Sequence, residues 1–416
     1  MSKQVTIIGA GIVGVCCARF LQHAGFAVTL LDSEGPGEGT SFGNLGMLCT
    51  TEHSLPLPSV SLLTQVPRML ADQNAPLSIR WRYLPRLLPW MLRVVTNTPE
   101  RTRMKNALAM ATLMKDTIKA YETVLEDSAA RALVRHRGFL EIYQHDKSFR
   151  ADARERERIK QLGVSMEILD TNEIRQLEPA LGRNCRFGVF FPDGAHCINP
   201  FAMTETIAQD VLQAGGHYQQ AKVVGAHTND TGVTELVTTD GPLPVENVVL
   251  AAGAWSGELS ARLGSPVPLD TERGYHTILH GVDAGLQRPV GHAESSIGVT
   301  QMETGLRIGG SVELASLDAP PNYARASHFY ERGRELLPDL PPTDELELSQ
   351  WMGFRPTLPD YLPVIGRSPR HKNLWFAFGH QHLGLSLGAR TGELIAELVS
   401  GRDSSIDLDA FRINRF

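Results

Sequence analysis

A strand, a glycine turn and a helix follow one another within the first 25 residues, and this order constrains the chain more than anything after it. Gln4 to Glu34 reads QVTIIGAGIVGVCCARFLQHAGFAVTLLDSE. Val5 to Ile8 form an apolar strand, GAGIVG the turn, and the next stretch a helix. Ala27 to Leu31 form a second strand, closed by Asp32. The pattern is that of a dinucleotide-binding βαβ unit. Gly9 permits the tight turn out of the strand. Gly11 lets the backbone approach a pyrophosphate, and Gly14 lets the helix lie close on the sheet. The helix start, with Ile12 and Val13, turns unpaired N–H groups and a positive dipole end toward the phosphates. Asp32 lies 18 residues after Gly14, where a carboxylate accepts hydrogen bonds from ribose hydroxyls and repels a 2′-phosphate, with Ser33 beside it. FAD or NAD is therefore favoured over NADP.

With 416 residues the chain exceeds one typical core, and two domains are expected. A net charge of -6 argues against nucleic acid as a main partner, because phosphate binding needs concentrated positive charge. The sequence shows neither a signal peptide nor an uninterrupted apolar run of membrane-spanning length, so a cytoplasmic location is expected. Cys16, Cys17, Cys49, Cys185 and Cys197 lack CxxC spacing and read as buried thiols, with no metal site or disulfide framework.

Along the chain, SEGPGEGTSFGNLGMLCTTEH is a loop suited to a second phosphate or ring contact. Residues 76–136 read as mainly helical, with PLSIRWRYLPRLLPWMLRVV cut by Pro85 and Pro89. GFLEIYQ and RFGVFFP read as strands, separated by helices at Arg154 to Leu162 and Thr171 to Leu177. Asn199-Pro200 supplies an N-cap and a helix-starting proline. AKVVGAHT, VTELVTT and ENVVLAAG are strands, and AAGAWSGEL restores a strand-to-helix crossing. Residues 266–349 are β-rich with a helix at Ala326 to Leu337, and a glycine turn then precedes a final amphipathic helix. The fold class is α/β. A discontinuous Rossmann-like FAD-binding domain (1–75, 196–265 and 350–416) accompanies an α+β substrate domain (76–195 and 266–349) with a large, mostly antiparallel sheet.

GAGIVG with Asp32, TSFGNLGML, VVLAAGAWS, GFRPTLPDYLPVIG and FGHQHLGLSLG occur in one order over nearly the whole chain. Together they make the sequence similar to the FAD-dependent D-amino acid dehydrogenase and glycine oxidase family, the DAO-type flavoproteins, and they select FAD over NAD. The resemblance implies that Thr40, Ser41 and Asn44 contact the pyrophosphate and ribityl chain. It places the backbone of Gly46, Met47 and Leu48 near the isoalloxazine ring, and that of Val224 at the adenine. Ala252, Gly253 and Trp255 follow at a strand end where small residues permit close approach. Gly353 belongs to the same set. Gly379, His380, Gly384, Leu385 and Ser386 aim backbone N–H groups at the flavin edge that becomes negative on reduction.

Arg355, just before a proline and between glycine-containing turns, is the expected carboxylate clamp, since its planar fork matches a carboxylate with two parallel hydrogen bonds. The family assigns the matching arginine that role. Two departures stand out. Glycine oxidases carry a second arginine and an asparagine after the Gly-His pair, where this chain has Gln381, His382 and Leu383. Relatives also use a tyrosine in the strand matching Ile297 to Thr300, which here has none. Tyr275 in ERGYHTIL, His382 and His53 are the candidates to supply the missing contacts. The resemblance implies oxidation of a D-amino acid, or of a cyclic secondary amino acid of the D-proline or hydroxy-D-proline type, by hydride transfer from Cα to flavin N5. Electrons then pass to a quinone or another carrier, or to oxygen. Peripheral contact of IRWRYLPRLLPWMLRVV with the inner face of the membrane is a further expectation. An oxygen-using glycine or sarcosine-type amine oxidase, and the flavoprotein subunit of a heteromeric amine or opine dehydrogenase, are the alternatives.

Overall fold

A computed structural model describes residues 3–50, Met69 and 77–416. The predicted βαβ unit forms at the centre of a six-stranded sheet. Its strands run in the order His217–Gln220, Ala27–Asp32, Gln4–Ile8, Val248–Leu250, Leu374–Phe378 and Val364–Arg367. The first five are parallel and the last closes as an antiparallel hairpin. Parallel strands buried on both faces need continuous apolar runs, and Val248–Leu250 and Leu374–Phe378 are buried at every position. Three pieces of chain far apart in sequence thus build one sheet.

The first helix, Ile12–His23, and the last, Gly384–Val399, pack face to face on this sheet. Two glycines one turn apart make the contact close. A Cβ on Gly392 would lie 2.7 Å from the Cys16 backbone, and one on Gly388 3.2 Å from Ile12. All five cysteines are free and buried, Cys16 and Cys17 within this helix contact. Among the described residues no His, Cys, Asp or Glu group is arranged to hold a metal, and no helix is long and apolar enough to cross a membrane.

The second large sheet follows the order Leu348–Thr357, Asp270–His280, Gly305–Leu314, Ile297–Met302, Val290–His292, Phe139–Tyr143, Phe187–Phe191 and Glu167–Asp170, with Leu77–Ile79 beside Gly305–Leu314. It is antiparallel except at two pairings. A small sheet of Met47–Leu48, Ala195–Cys197 and Val134–Arg135 bridges the two regions.

The local readings at Thr171–Leu177 and at Asn199, whose side chain accepts from the Ala202 N–H at 3.0 Å, match the elements seen. Two others do not. Pro89 lies inside the helix Leu84–Thr96 without ending it, while Pro85 occupies the first turn, where no N–H is needed. The helix read at Ala326 to Leu337 is two, Ala324–Ser327 and Phe329–Leu336.

Candidate functional site

A cavity of about 1040 Å³ runs from the glycine turn to the edge of the large sheet. At its first end Gly9 has φ +110°, and a Cβ there would sit 2.3 Å from the Ala251 carbonyl oxygen. A Cβ on Gly14 would lie 1.9 Å from the Gly9 carbonyl oxygen. Gly14 therefore faces the turn, not the cavity. Gly11 opens into the cavity, and no side chain among the described residues caps its helix through a first-turn N–H of the usual N-cap kind. The Ile12 N–H is instead met by Ser41 Oγ at 2.9 Å, from the next loop. Asp32 accepts from the Ala10 N–H at 2.6 Å and the Glu34 N–H at 3.1 Å. Burial raises its pKa, against the pull of these amides. A glycine helix start that opens into the cavity, with the Ser41 hydroxyl beside its first N–H, and a strand-end carboxylate suit a dinucleotide.

Val13, Ser33, Thr40, Asn44, Met47, Val224, Ala252, Gly253 and Trp255 join this wall. Val224 is the extra residue of a β-bulge, so its amide lies outside the ladder, while its carbonyl accepts from Arg262 at 2.6 Å. At the other side, His380, Gly384 and Leu385 present the start of the final helix. His380 bonds the Thr391 hydroxyl at 3.0 Å, and burial drops its pKa to about 3, so the ring is neutral.

Four expected contacts stand behind the wall. Gly46 abuts the Cys197 carbonyl, Leu48 is in the core, and Gly379 packs on Leu358. Ser386 accepts from the Cys49 N–H at 2.9 Å and donates to the Met47 carbonyl, tying helix to loop. His53 lies outside the described residues.

The second end of the cavity is built differently. Arg355 and Gly353 sit in the strand Leu348–Thr357, not between turns, because the segment pairs along its whole length with Asp270–His280. Four neighbours shape the seat of Arg355. Gly274 admits the guanidinium: a Cβ there would lie 2.4 Å from Arg355 Nη2. Ser311, with φ +58°, lies where the strand Gly305–Leu314 bulges opposite Arg273 to Tyr275, and its carbonyl accepts from Arg355 Nη1 at 3.0 Å. Burial lowers the Arg355 pKa, while Glu272 and Tyr361 act to hold the charge.

Tyr275 lines the cavity, but its one proton goes to Glu313 at 2.6 Å while it accepts from the Asn322 N–H at 3.1 Å. Arg273 and Arg80 also donate to Glu313, at 3.0 and 2.8 Å. In this arrangement the hydroxyl has no proton left for a ligand. His382 lines the cavity from an exposed position.

Sequence reasoning missed His276 and Trp351. Their rings stack at 5.1 Å and 21°, His276 Nδ1 bonds the Gly43 carbonyl at 2.8 Å, and Gly43 and Gly353 leave room for the indole. The strand alternation that places His276 on the same face as Gly274 was the available signal. Burial brings His276 to a pKa of about 3.

Residues 4–398 match the model of the DAO family, the FAD-dependent oxidoreductases. The chain belongs to that family. Like other DAO proteins it is an FAD-dependent oxidoreductase. It is 35% identical to a D-amino-acid oxidase of Bradyrhizobium diazoefficiens, over 100% of this chain and 99% of that protein. It is 31% identical to a D-amino acid dehydrogenase of Paramagnetospirillum magneticum, over 99% of each. In fold it is similar to glycine oxidase from Geobacillus kaustophilus, with a TM-score of 0.76 and 21% identity over 100% of both chains.

Proposed function

We propose that this DAO protein oxidises a D-amino acid, including small cyclic secondary amino acids of the D-proline type, with Arg355 holding the carboxylate. The single observation behind this reading is the placement of Arg355. A half-buried guanidinium is fixed by the Ser311 carbonyl at one end of a cavity whose other end is a glycine turn. The full-length oxidase and dehydrogenase relatives support the substrate class.

When bound, FAD supplies the hydride acceptor. The chain's own residues bind and orient. Gly9, Gly11 and Asp32 would hold the dinucleotide, and the start of the helix Gly384–Val399 would offer N–H groups to developing negative charge. Arg355 would fix the carboxylate and so the direction of the Cα–H bond. Neutral His276 and His380 cannot act as acids at physiological pH, and a substrate that binds as the zwitterion gives its ammonium proton to solvent, after which the amine lone pair supplies the electron push. No protein base is required.

Anaerobic mixing with a panel of D-amino acids and proline and hydroxyproline stereoisomers tests this. Flavin bleaching by D-amino acids is expected, and no bleaching by any of them would overturn it. Hydrogen peroxide made stoichiometrically in air would mark an oxidase; a requirement for quinone or dye would mark a dehydrogenase. Trp81, Leu88 and Leu92 are 67%, 50% and 60% exposed beside Arg82, Arg86 and Arg93, which favours a membrane-side acceptor. Sedimentation with anionic vesicles, lost when these three are replaced by serine, is the check.

A further inference from the structure

The seat of Arg355 contains a carboxylate of its own. Glu272 and Arg355 are register partners on adjacent antiparallel strands, so their side chains leave the sheet on the same face, side by side. Glu272 is 7% exposed, and its Oε1 accepts from the Tyr361 hydroxyl at 2.5 Å. The two charges are neighbours without being spent on each other. Arg355 gives Nη1 to the Ser311 carbonyl, and Glu272 is held from behind by Tyr361. Two residues earlier on the same face, Asp270 is bonded by Tyr83 at 2.9 and 3.1 Å. Burial raises the pKa of Glu272, while Tyr361, Arg355 and Thr357 favour its charged form.

We propose that Glu272 is a specificity-determining residue: by compensating Arg355 it makes the seat nearly charge-neutral, admitting a zwitterionic amino acid ahead of an anionic carboxylate without the amine. The inference rests on the assignment of Arg355 to the substrate carboxylate. Arg355 and Glu272 sum to zero, and a bound zwitterion keeps that sum. A bare carboxylate leaves one uncompensated negative charge in a buried place, which is costly. The 2-oxo acid left after the imine product hydrolyses is such an anion, so the same device speeds its departure.

Glu272→Gln keeps the shape and an acceptor for Tyr361 but leaves Arg355 alone. Binding to FAD-loaded protein is measured by titration calorimetry at pH 8.5, with propionate and propionamide as probes. The Kd of propionate should fall by about tenfold, the scale of one nearby charge at intermediate dielectric, while propionamide is unchanged. A loosened pocket would weaken both probes. Tyr361→Phe should act in the same sense and more weakly, because a buried Glu272 without its hydroxyl partner holds its charge less readily and compensates Arg355 less. Propionate then tightens severalfold and propionamide does not change. This variant decides the matter alone if Glu272→Gln does not fold. Equal effects on both probes, or none, overturn the proposal. Arg355→Met separates the two readings. If it binds propionate as the wild type does, the assignment of Arg355 fails. If it abolishes binding while Glu272→Gln fails to tighten it, only the role of Glu272 fails.

Discussion

The two ends of the cavity are made of different materials. At the dinucleotide end the decisive residues are those with no side chain: Gly9 and Gly11 shape the turn that lines the cavity, and Gly14 lies behind it, against the Gly9 carbonyl. At the Arg355 end the surface is side chain on strand, and glycine serves only to make room, as Gly274 does for the guanidinium. Backbone geometry tolerates almost no change, whereas a seat of side chains can be retuned by its charges. The same fold therefore combines a rigid cofactor site with an adjustable substrate site.

Substitutions should separate the two ends. Gly14→Ala drives a Cβ to 1.9 Å from the Gly9 carbonyl oxygen. It should cost on the order of 3 kcal/mol, roughly 100-fold in FAD affinity or loss of folded protein, read by flavin content and thermal melting. Arg355→Met should leave FAD bound and lower kcat/KM roughly 30-fold or more, since truncating one partner of a buried charged pair costs about 2 to 5 kcal/mol. Wild-type kcat/KM with a carboxylate-bearing substrate would remove Arg355 from the site. Asp32→Ala should do the reverse, weakening FAD retention about tenfold while reconstituted enzyme keeps its kcat. Gly274→Ala should raise KM by roughly fivefold through displacement of Arg355, with unchanged FAD affinity; an unchanged KM would show that the guanidinium has somewhere else to go.

The smallest effect concerns pH. His276 and His380, one toward each end, have folded pKa values near 3, below the unfolded value of about 6.5. Their contribution to stability is full above about pH 6.5 and is lost as pH falls toward 3, because the unfolded chain binds protons that the folded one refuses. Tm should decline over that window, less steeply in His380→Gln.

What was legible in the sequence follows the same division. The βαβ unit is local, and turn, helix and terminal acid are read from one continuous segment. Arg355 was legible by residue type but not by setting, because the strand Leu348–Thr357 owes its existence to pairing with Asp270–His280, more than 60 residues away in the chain. Tyr275 illustrates the limit further. Its position beside the cavity could be anticipated, but the Glu313 carboxylate that takes its proton comes from another strand. Glu272 gave no signal at all, since an acid opposite an arginine becomes visible only once register is known. Pro89 misled because a proline removes a single hydrogen bond, which packing of Leu87, Trp90 and Val94 in the core outweighs.

The loop that touches the dinucleotide cradle is also fastened to the strand bearing Arg355. Thr40 donates to the Phe354 carbonyl at 2.9 Å and receives the Phe354 N–H at 3.3 Å, and Trp351 lies in the gap left by Gly43. Nothing that reshapes this strand can leave the loop untouched. Anyone seeking to retarget the enzyme by shifting the backbone of this strand at Phe354, or the Trp351 indole, would be altering cofactor retention as well, whereas the Arg355 side chain can be exchanged without touching the loop.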